Sequence, residues 1–375
     1  MTTKKIINYE FLEKKLLQEG LNKADLSVKL GLTREAVSKW FRGNGNPSSS
    51  KLAKIAKILS LNFDDFIKIE FENSPIVEFR LNRTAKITET KNIEAIDMGN
   101  HLKELVKYVP FDYLTKPPIL INPEDSYQYI ENVVKNIRIK NDFKKDEIEF
   151  KQIIALFNNY HSILIPLLWG KNEKKINGLR IFLPDNIINW IYFNLDSNIY
   201  DSKFWMLHEL GHVIGHDIDK NNSENFANHF AGALLFGEKM SKNLYNELIK
   251  LNEPNENITK LIILSKKLSI SPLTIYYRLS AYTNEYKLKE IKFDQTLFKR
   301  NAGLLRENGT LGETIFGKKK PDSKEFIDSI NEYFNTPIFS MLKKYIADTN
   351  ESASYIQKIF DISYLDAKNI YDCIK

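Results

Sequence analysis

Cysteine occurs once in 375 residues, at Cys373. An internal disulfide is excluded, and so is a zinc site built on cysteine pairs. Fifteen glycines and twelve prolines are too few for a collagen-like or low-complexity chain. No apolar run approaches the roughly 18 residues of a membrane span. The longest, 163–169, is short and contains Pro166. Lysines near the N-terminus have no apolar stretch behind them, so a secretory signal is not expected. The simplest compartment is the cytoplasm, with no membrane partner.

What is present is ordinary globular material: 43% apolar and 27% charged residues, with 23 Phe and 18 Tyr to fill cores. At about 100–200 residues per domain, two or three domains are expected. The charge is unevenly placed. Residues 1–57 hold 12 Lys and Arg against 5 Asp and Glu; the remaining 318 hold 42 against 43. A small basic domain on a neutral body points to a polyanion partner for that domain alone.

Apolar spacing predicts helices with short breaks over 8–70, with Gly31 and 43–47 as the clearest interruptions. IVEFRL (76–81) and TAKITET (84–90) alternate like strands or an extended linker, and a helix follows over 100–108. KPP (116–118) and Asn122 with Pro123 mark loops. A further domain is placed from about 126. It opens on a helix carrying Tyr129, Val133, Val134 and Ile137, with another over 145–160. Three strands (163–169, 178–184, 189–195) precede helices at about 203–216 and 223–236. The expected organisation is multidomain. An all-α domain spans 1–70, a linker or extended segment 71–125, an α+β domain 126–285, and a helical region of unknown role 286–375. In the last region, 355–374 reads as amphipathic and is expected to pack on the preceding domain or a second subunit. Lys318, Lys319 and Lys320 read as a solvated loop or as a contact for an acidic partner.

The strongest chemical signal is His208-Glu209-Leu210-Gly211-His212, a match to H-E-x-x-H. Histidines at i and i+4 share a helix face, so both reach one Zn²⁺. Glu209 is rotated off that face and is free to act as a base. The bland alternative is a surface helix with two solvated histidines. Against it, Phe204, Trp205, Leu207, Val213 and Ile214 make the helix largely apolar. A third ligand is required, and Glu224 supplies it from the next helix, at the edge of a stripe made by Ala227, Phe230, Ala231, Leu234 and Leu235. Asn228, one turn on, is placed to hydrogen-bond a ligand. His216 either faces the cleft or simply ends the helix. His229 lies on a different face from Glu224 and reads as structural.

These residues resemble the ImmA/IrrE family of zinc metallopeptidases. FWMLHELGHVIGHD is followed by E-x-x-A-N-x-F-A-x-x-L-L, preceded by a strand ending at Asn194, and trailed by a segment with Ser271, Arg278 and Leu279. The resemblance covers about 150–283. It implies a zincin-like α+β fold, Zn²⁺ held by His208, His212 and Glu224, and Glu209 as catalytic base. It departs at Phe236-Gly237, where the family often has Met-Pro. Under that reading the metal activates a water, Glu209 takes its proton, and a peptide bond is hydrolysed. Tyr192, Tyr200 and His216 are candidates for stabilising the oxyanion. The strand 190–195 is expected to pair with an extended substrate.

Residues 22–43 read as helix, turn, helix. Leu26, Leu30, Leu32, Val37 and Trp40 are the packing positions, and Thr33 caps the second helix. Arg34, Glu35 and Ser38 project where base edges are read, and Lys39 and Arg42 where phosphates lie. With the helix that follows, 8–68 is similar to the XRE (Cro/C1-type) family, departing at Phe41 and Ser27. The alternative is a helical dimerisation or docking domain. Resemblance implies a regulator that binds a double-stranded DNA operator, with a homodimer expected for specific binding.

Two functions stand at this point. One is a DNA-binding regulator whose zinc peptidase cleaves a partner repressor or regulatory protein. The other is a non-catalytic repressor or antitoxin whose body senses a signal or binds a cognate toxin. Retention of Glu209 beside all three ligands favours hydrolysis.

Overall fold

The computed structural model describes all residues except 1, 2, 43, 44, 46, 72, 73, 82–87, 115–117, 170–175, 186, 252 and 306–308. The expected break at Gly43, residues 84–87 of the expected strand, and Lys116 and Pro117 fall outside that set. The chain divides into two compact units, Met1–Ser74 and Pro75–Lys375.

The first unit runs β1 (Thr3–Ile7), α1 (Tyr9–Gln18), α2 (Lys23–Leu30), α3 (Arg34–Phe41), α4 (Ser49–Ile58), a 3₁₀ turn at Phe63–Phe66 and β2 (Ile67–Phe71). Local chemistry sets the helix ends. Asn22 and Asp25 form a reciprocal capping box on α2. Gly31 ends α2 in the left-handed region at φ 61. Thr33 Oγ1 accepts from Ala36 N at 3.2 Å to open α3. Leu12, Leu16, Leu26, Leu30, Val37, Ile55, Leu59 and Phe66 make the core. This unit is not all-α as expected: β1 and β2 pair antiparallel, Thr3 against Phe71 through Ile7 against Ile67. The sequence Ile67-Lys-Ile-Glu-Phe71 alternates with period two, which suits a strand and not a fifth helix.

The second unit begins with β3 (Ile76–Leu81), α5 (Glu89–Leu105), α6 (Tyr127–Lys140) and α7 (Phe150–Asn159). It continues with β4 (Ser162–Leu167), β5 (Ile176–Leu183), β6 (Ile188–Asn194), α8 (Ile199–Ile214) and α9 (Lys220–Leu235). Then come α10 (Glu238–Leu248), α11 (Pro254–Leu268), α12 (Pro272–Glu285), α13 (Gln295–Leu305), α14 (Leu311–Phe316), α15 (Ser323–Phe334), α16 (Ile338–Thr349), α17 (Ala353–Phe360) and α18 (Tyr364–Ile374). Among the described residues none of these helices is long and apolar enough to cross a membrane.

A four-stranded mixed sheet, order β3-β5-β6-β4, sits among the helices. β5 pairs antiparallel with β3 and β6, and β4 runs parallel to β6. β4 and β6 are buried at every residue, as strands covered on both faces are. α8 packs on one face. α5 and the C-terminal helices cover the other. Tyr192 donates from that face to the Ile359 carbonyl at 2.7 Å, and Trp169 Nε1 to the Phe360 carbonyl at 2.9 Å.

Three expectations change here. The segment 71–125 is not a linker beyond Ser74, because Ile76–Leu81 is the edge strand of this sheet and α5 contributes Ala95, Met98, Leu102 and Leu105 to its core. TAKITET does not end as a strand: Thr88 caps α5 by accepting from Lys91 N, and Glu89 and Thr90 are its first turn. The region 286–375 belongs to the same core, supplying Phe339, Leu342, Ile356, Ile359 and Phe360.

Candidate functional site

α8 carries His208, Glu209 and His212 on its buried side; their exposures are 1%, 3% and 5%. α9 crosses α8 closely enough to bring Glu224 to the two imidazoles. Gly211 makes that crossing possible. A Cβ there would stand 2.8 Å from the Ala227 Cα and 3.1 Å from its Cβ, inside the roughly 3.5–4.0 Å at which carbons rest.

The three side chains converge. His208 Nε2 and His212 Nε2 are 3.0 Å apart. Glu224 Oε1 is 3.2 Å from His212 Nε2, and Oε2 is 3.6 Å from His208 Nε2. Donors around a tetrahedral Zn²⁺ with bonds of about 2.0–2.1 Å stand about 3.3 Å from one another. The observed separations bracket that edge length. Two neutral imidazoles and one carboxylate also suit this ion by donor type. Glu224 remains 61% exposed, so the cluster is open on the α9 side.

Ser223, immediately before Glu224, lies 3.0 Å from His212 Nδ1 through its Oγ. A hydroxyl acceptor there fixes the proton on Nδ1 and leaves the Nε2 lone pair for a metal. Sequence reading singled out Asn228 for this kind of support. Asn228 is half-buried one turn along α9, and Ser223 is a further neighbour, hydrogen-bonded to His212. No motif marks Ser223; only its place beside Glu224 hints at it.

The sheet adds a second group that sequence reading missed. Glu78 of β3 and Arg180 of β5 are cross-strand partners on the face toward α8. Arg180 Nη1 donates to Glu78 Oε2 at 2.6 Å, and Nε donates to Asn189 Oδ1 at 2.8 Å. Burial pushes the Glu78 carboxyl up, but the charge and hydrogen bond of Arg180, with the field of His212, outweigh it and hold the group below the usual carboxylate range. Burial likewise opposes protonation of His212. The hydrogen bond that its N–H donates to Glu224 and the charges of Glu209 and Glu78 overcome it and raise that imidazole above its ordinary value. Glu78, Glu209, Glu224, His208 and His212 therefore share one electrostatic neighbourhood.

The oxyanion candidates separate. Tyr192 is excluded, being fully buried on the opposite face with its hydroxyl given to Ile359. Tyr200 is in the first turn of α8, two turns before His208. His216 follows α8 with its ring 4.7 Å from Phe182, which lies under Arg180. Strand 190–195 cannot accept a substrate strand, because β6 has ladder partners on both sides. His229 pairs with Asp125 at 2.6 Å, away from the cluster's donor set. Arg278 is buried, donates to the Phe236 carbonyl at 3.1 Å and pairs with Glu131. It braces the end of α9, where Gly232 leaves room for its side chain.

In the first unit, Arg34, Glu35 and Lys39 are exposed along α3, Arg42 is exposed at its C-cap, and Ser38 is half-buried. Lys39 pairs loosely with Glu35 at 3.5 Å, a surface pair of little energetic consequence. Phe41 packs its ring 5.4 Å from Tyr9.

Residues 12–66 match a family described as Helix-turn-helix, of the XRE type. This match supports a DNA-binding transcriptional regulator whose first unit binds double-stranded DNA. No curated protein and no solved structure matches the chain.

Proposed function

We propose that this chain is a cytoplasmic DNA-binding regulator whose second unit is a zincin-like, zinc-dependent metallopeptidase acting on a partner repressor or regulatory protein. The observation that supports it is the convergence of His208, His212 and Glu224, whose donor atoms lie within 4.8 Å of one another, beside the buried Glu209. Bound Zn²⁺ supplies a lowered water pKa and a polarised carbonyl.

The chain's own residues do the rest. His208 and His212 offer neutral Nε2 donors, the second kept in that tautomer by Ser223. Glu224 brings a negative charge from an exposed position. Glu209, on the same helix but off the ligand face, accepts the proton of the attacking water and delivers it to the leaving amine. Its 3% exposure keeps bulk water from competing for that proton. In the first unit, Arg34, Glu35 and Ser38 read bases, Lys39 and Arg42 hold phosphates, and a homodimer places two such units on an operator.

The test is metal content by elemental mass spectrometry on the wild type and Glu224→Ala. About one zinc per chain, lost or weakened in the variant, supports the site. Cleavage of co-expressed repressors that stops in Glu209→Gln then supports the activity. A wild-type protein that takes up no added zinc overturns the peptidase reading and leaves DNA and toxin binding as the whole function.

A further inference from the structure

The Glu78–Arg180 pair is more than a strut between two strands. Arg180 has a 4% exposed side chain and spends two of its three nitrogens on Asn189 and Glu78. Nη2 is buried with no acceptor among the described residues. A buried donor left without a partner is destabilising, so its retention calls for an acceptor that arrives from outside. Glu78 presents the complementary valence. Its Oε2 takes Arg180, its side chain is 35% exposed, and among the described residues no donor is paired with Oε1. The pair is neutral overall, so it selects neither a cation nor an anion. One unpaired donor beside one unpaired acceptor matches the C=O and N–H of a peptide group.

Its position gives the pair a purpose. Both residues are on the sheet face that α8 covers, and the Glu78 carboxylate lies within the field of His212 and Glu224. We propose that Glu78 and Arg180 form a main-chain clamp for an extended protein substrate, Arg180 Nη2 donating to a backbone carbonyl and Glu78 Oε1 accepting a backbone N–H. This inference rests on the peptidase reading for its substrate class. The clamp touches main chain only, so it holds segments of varied sequence in one register relative to the metal ligands. Side-chain preference must come from elsewhere in the cleft. Glu78 and Arg180 are substrate-positioning residues and take no part in bond making.

The test uses the full chain carrying Glu209→Gln, so that nothing is turned over. The probe is a fluorescently labelled, end-blocked heptapeptide of alternating Val and Thr, with a series in which each amide in turn is replaced by an ester. An ester removes one N–H and puts an oxygen in its place. One position is expected to weaken binding by about tenfold or more, as loss of a charge-assisted hydrogen bond does. Glu78→Gln then gives the distinctive readout. Its amide oxygen keeps Arg180 while its NH₂ faces the probe, so the ester penalty at that one position disappears or reverses. Arg180→Lys, which keeps the charge and loses the fork, is expected to weaken the parent peptide with its circular dichroism unchanged. A flat ester series, a penalty that is the same in Glu78→Gln, or no peptide binding at millimolar concentration overturns the clamp. Zinc content, measured on the same samples, decides the peptidase reading separately: the clamp fails with zinc bound, and the peptidase reading fails without it.

Discussion

Replacing Gly211 by Ala isolates the geometric condition for the convergence of His208, His212 and Glu224, the proposed metal ligands. In an isolated helix the change is favourable by up to about 1 kcal/mol. Here the new methyl meets Ala227 Cα at 2.8 Å, Ala227 Cβ at 3.1 Å and Phe230 Cδ1 at 3.3 Å. Restoring contacts of about 3.5–4.0 Å requires α9 to retreat by roughly 0.7–1.2 Å. Overpacking of that size costs about 1–3 kcal/mol, so the expected net effect on stability is a loss of up to about 2 kcal/mol. The functional effect is larger. Ligand distances tolerate about 0.2 Å, and Glu224 rides on the helix that moves. Zinc affinity, read by competition with a chelator, is expected to fall at least about tenfold. Gly303→Ala is the control: it sits in α13 with nothing within 4 Å of a Cβ, so it should be neutral or stabilising. Urea unfolding of the two variants gives opposite signs. A Gly211→Ala protein as stable as Gly303→Ala, with wild-type zinc affinity, would refute the close-crossing account.

Other expectations follow from single contacts. Ser223→Ala should weaken zinc binding about 10–100-fold with little change in the urea midpoint. An unchanged chelator titration would mean that His212 is oriented by something else. Arg278→Ala leaves Glu131, only 13% exposed, without its cation. Unfolding should be easier by about 3–5 kcal/mol, and Arg278→Met with Glu131→Gln should recover part of that. Because the folded pKa of Glu78 is depressed, its stabilisation is complete above the ordinary glutamate value and is lost as pH falls through the folded value. The gap in urea midpoint between wild type and Glu78→Gln should therefore close toward acid; a gap that widens contradicts the assignment. On DNA, Lys39→Ala and Arg42→Ala should each lower the salt slope of binding by about one, whereas Arg34→Ala should relax base preference. Identical effects from all three on mobility-shift titrations would remove the distinction between phosphate and base contacts.

The parts of this molecule legible in its sequence are those whose cause is local. Asn22, Gly31 and Thr33 act within four residues of where they stand, and they mark the helix-turn-helix in advance. His208 and His212 are brought together by one helical turn. Glu224 was legible because an apolar stripe on α9 shows which side of that helix must meet α8. The misread parts depend on partners far along the chain. β3 is six residues long and pairs with a strand about a hundred residues later. Nothing within Ile76–Leu81 tells a sheet edge from a linker, so nothing there singles out Glu78. The last ninety residues show apolar stripes, but a stripe does not name the surface it covers.

β6 is the instructive failure, because its sequence did contain the answer. Ile188-Asn-Trp-Ile-Tyr-Phe-Asn194 shows no alternation of polar and apolar residues beyond its two asparagines. A strand that offers an edge and one wet face to a substrate should alternate; one without alternation is covered on both faces. The burial of all seven residues follows from that pattern. So does the fate of Tyr192, since odd and even positions of a central strand point into opposite layers and only one layer holds α8. Ile191 is the cross-strand partner of Arg180 and shares its face. Tyr192, one residue on, must then point away from His208 and His212, toward α17. Once the register between β5 and β6 is known, the oxyanion role of Tyr192 is excluded by parity alone. Parity also places Glu78, two strands from Ile191, on the face that the histidines occupy.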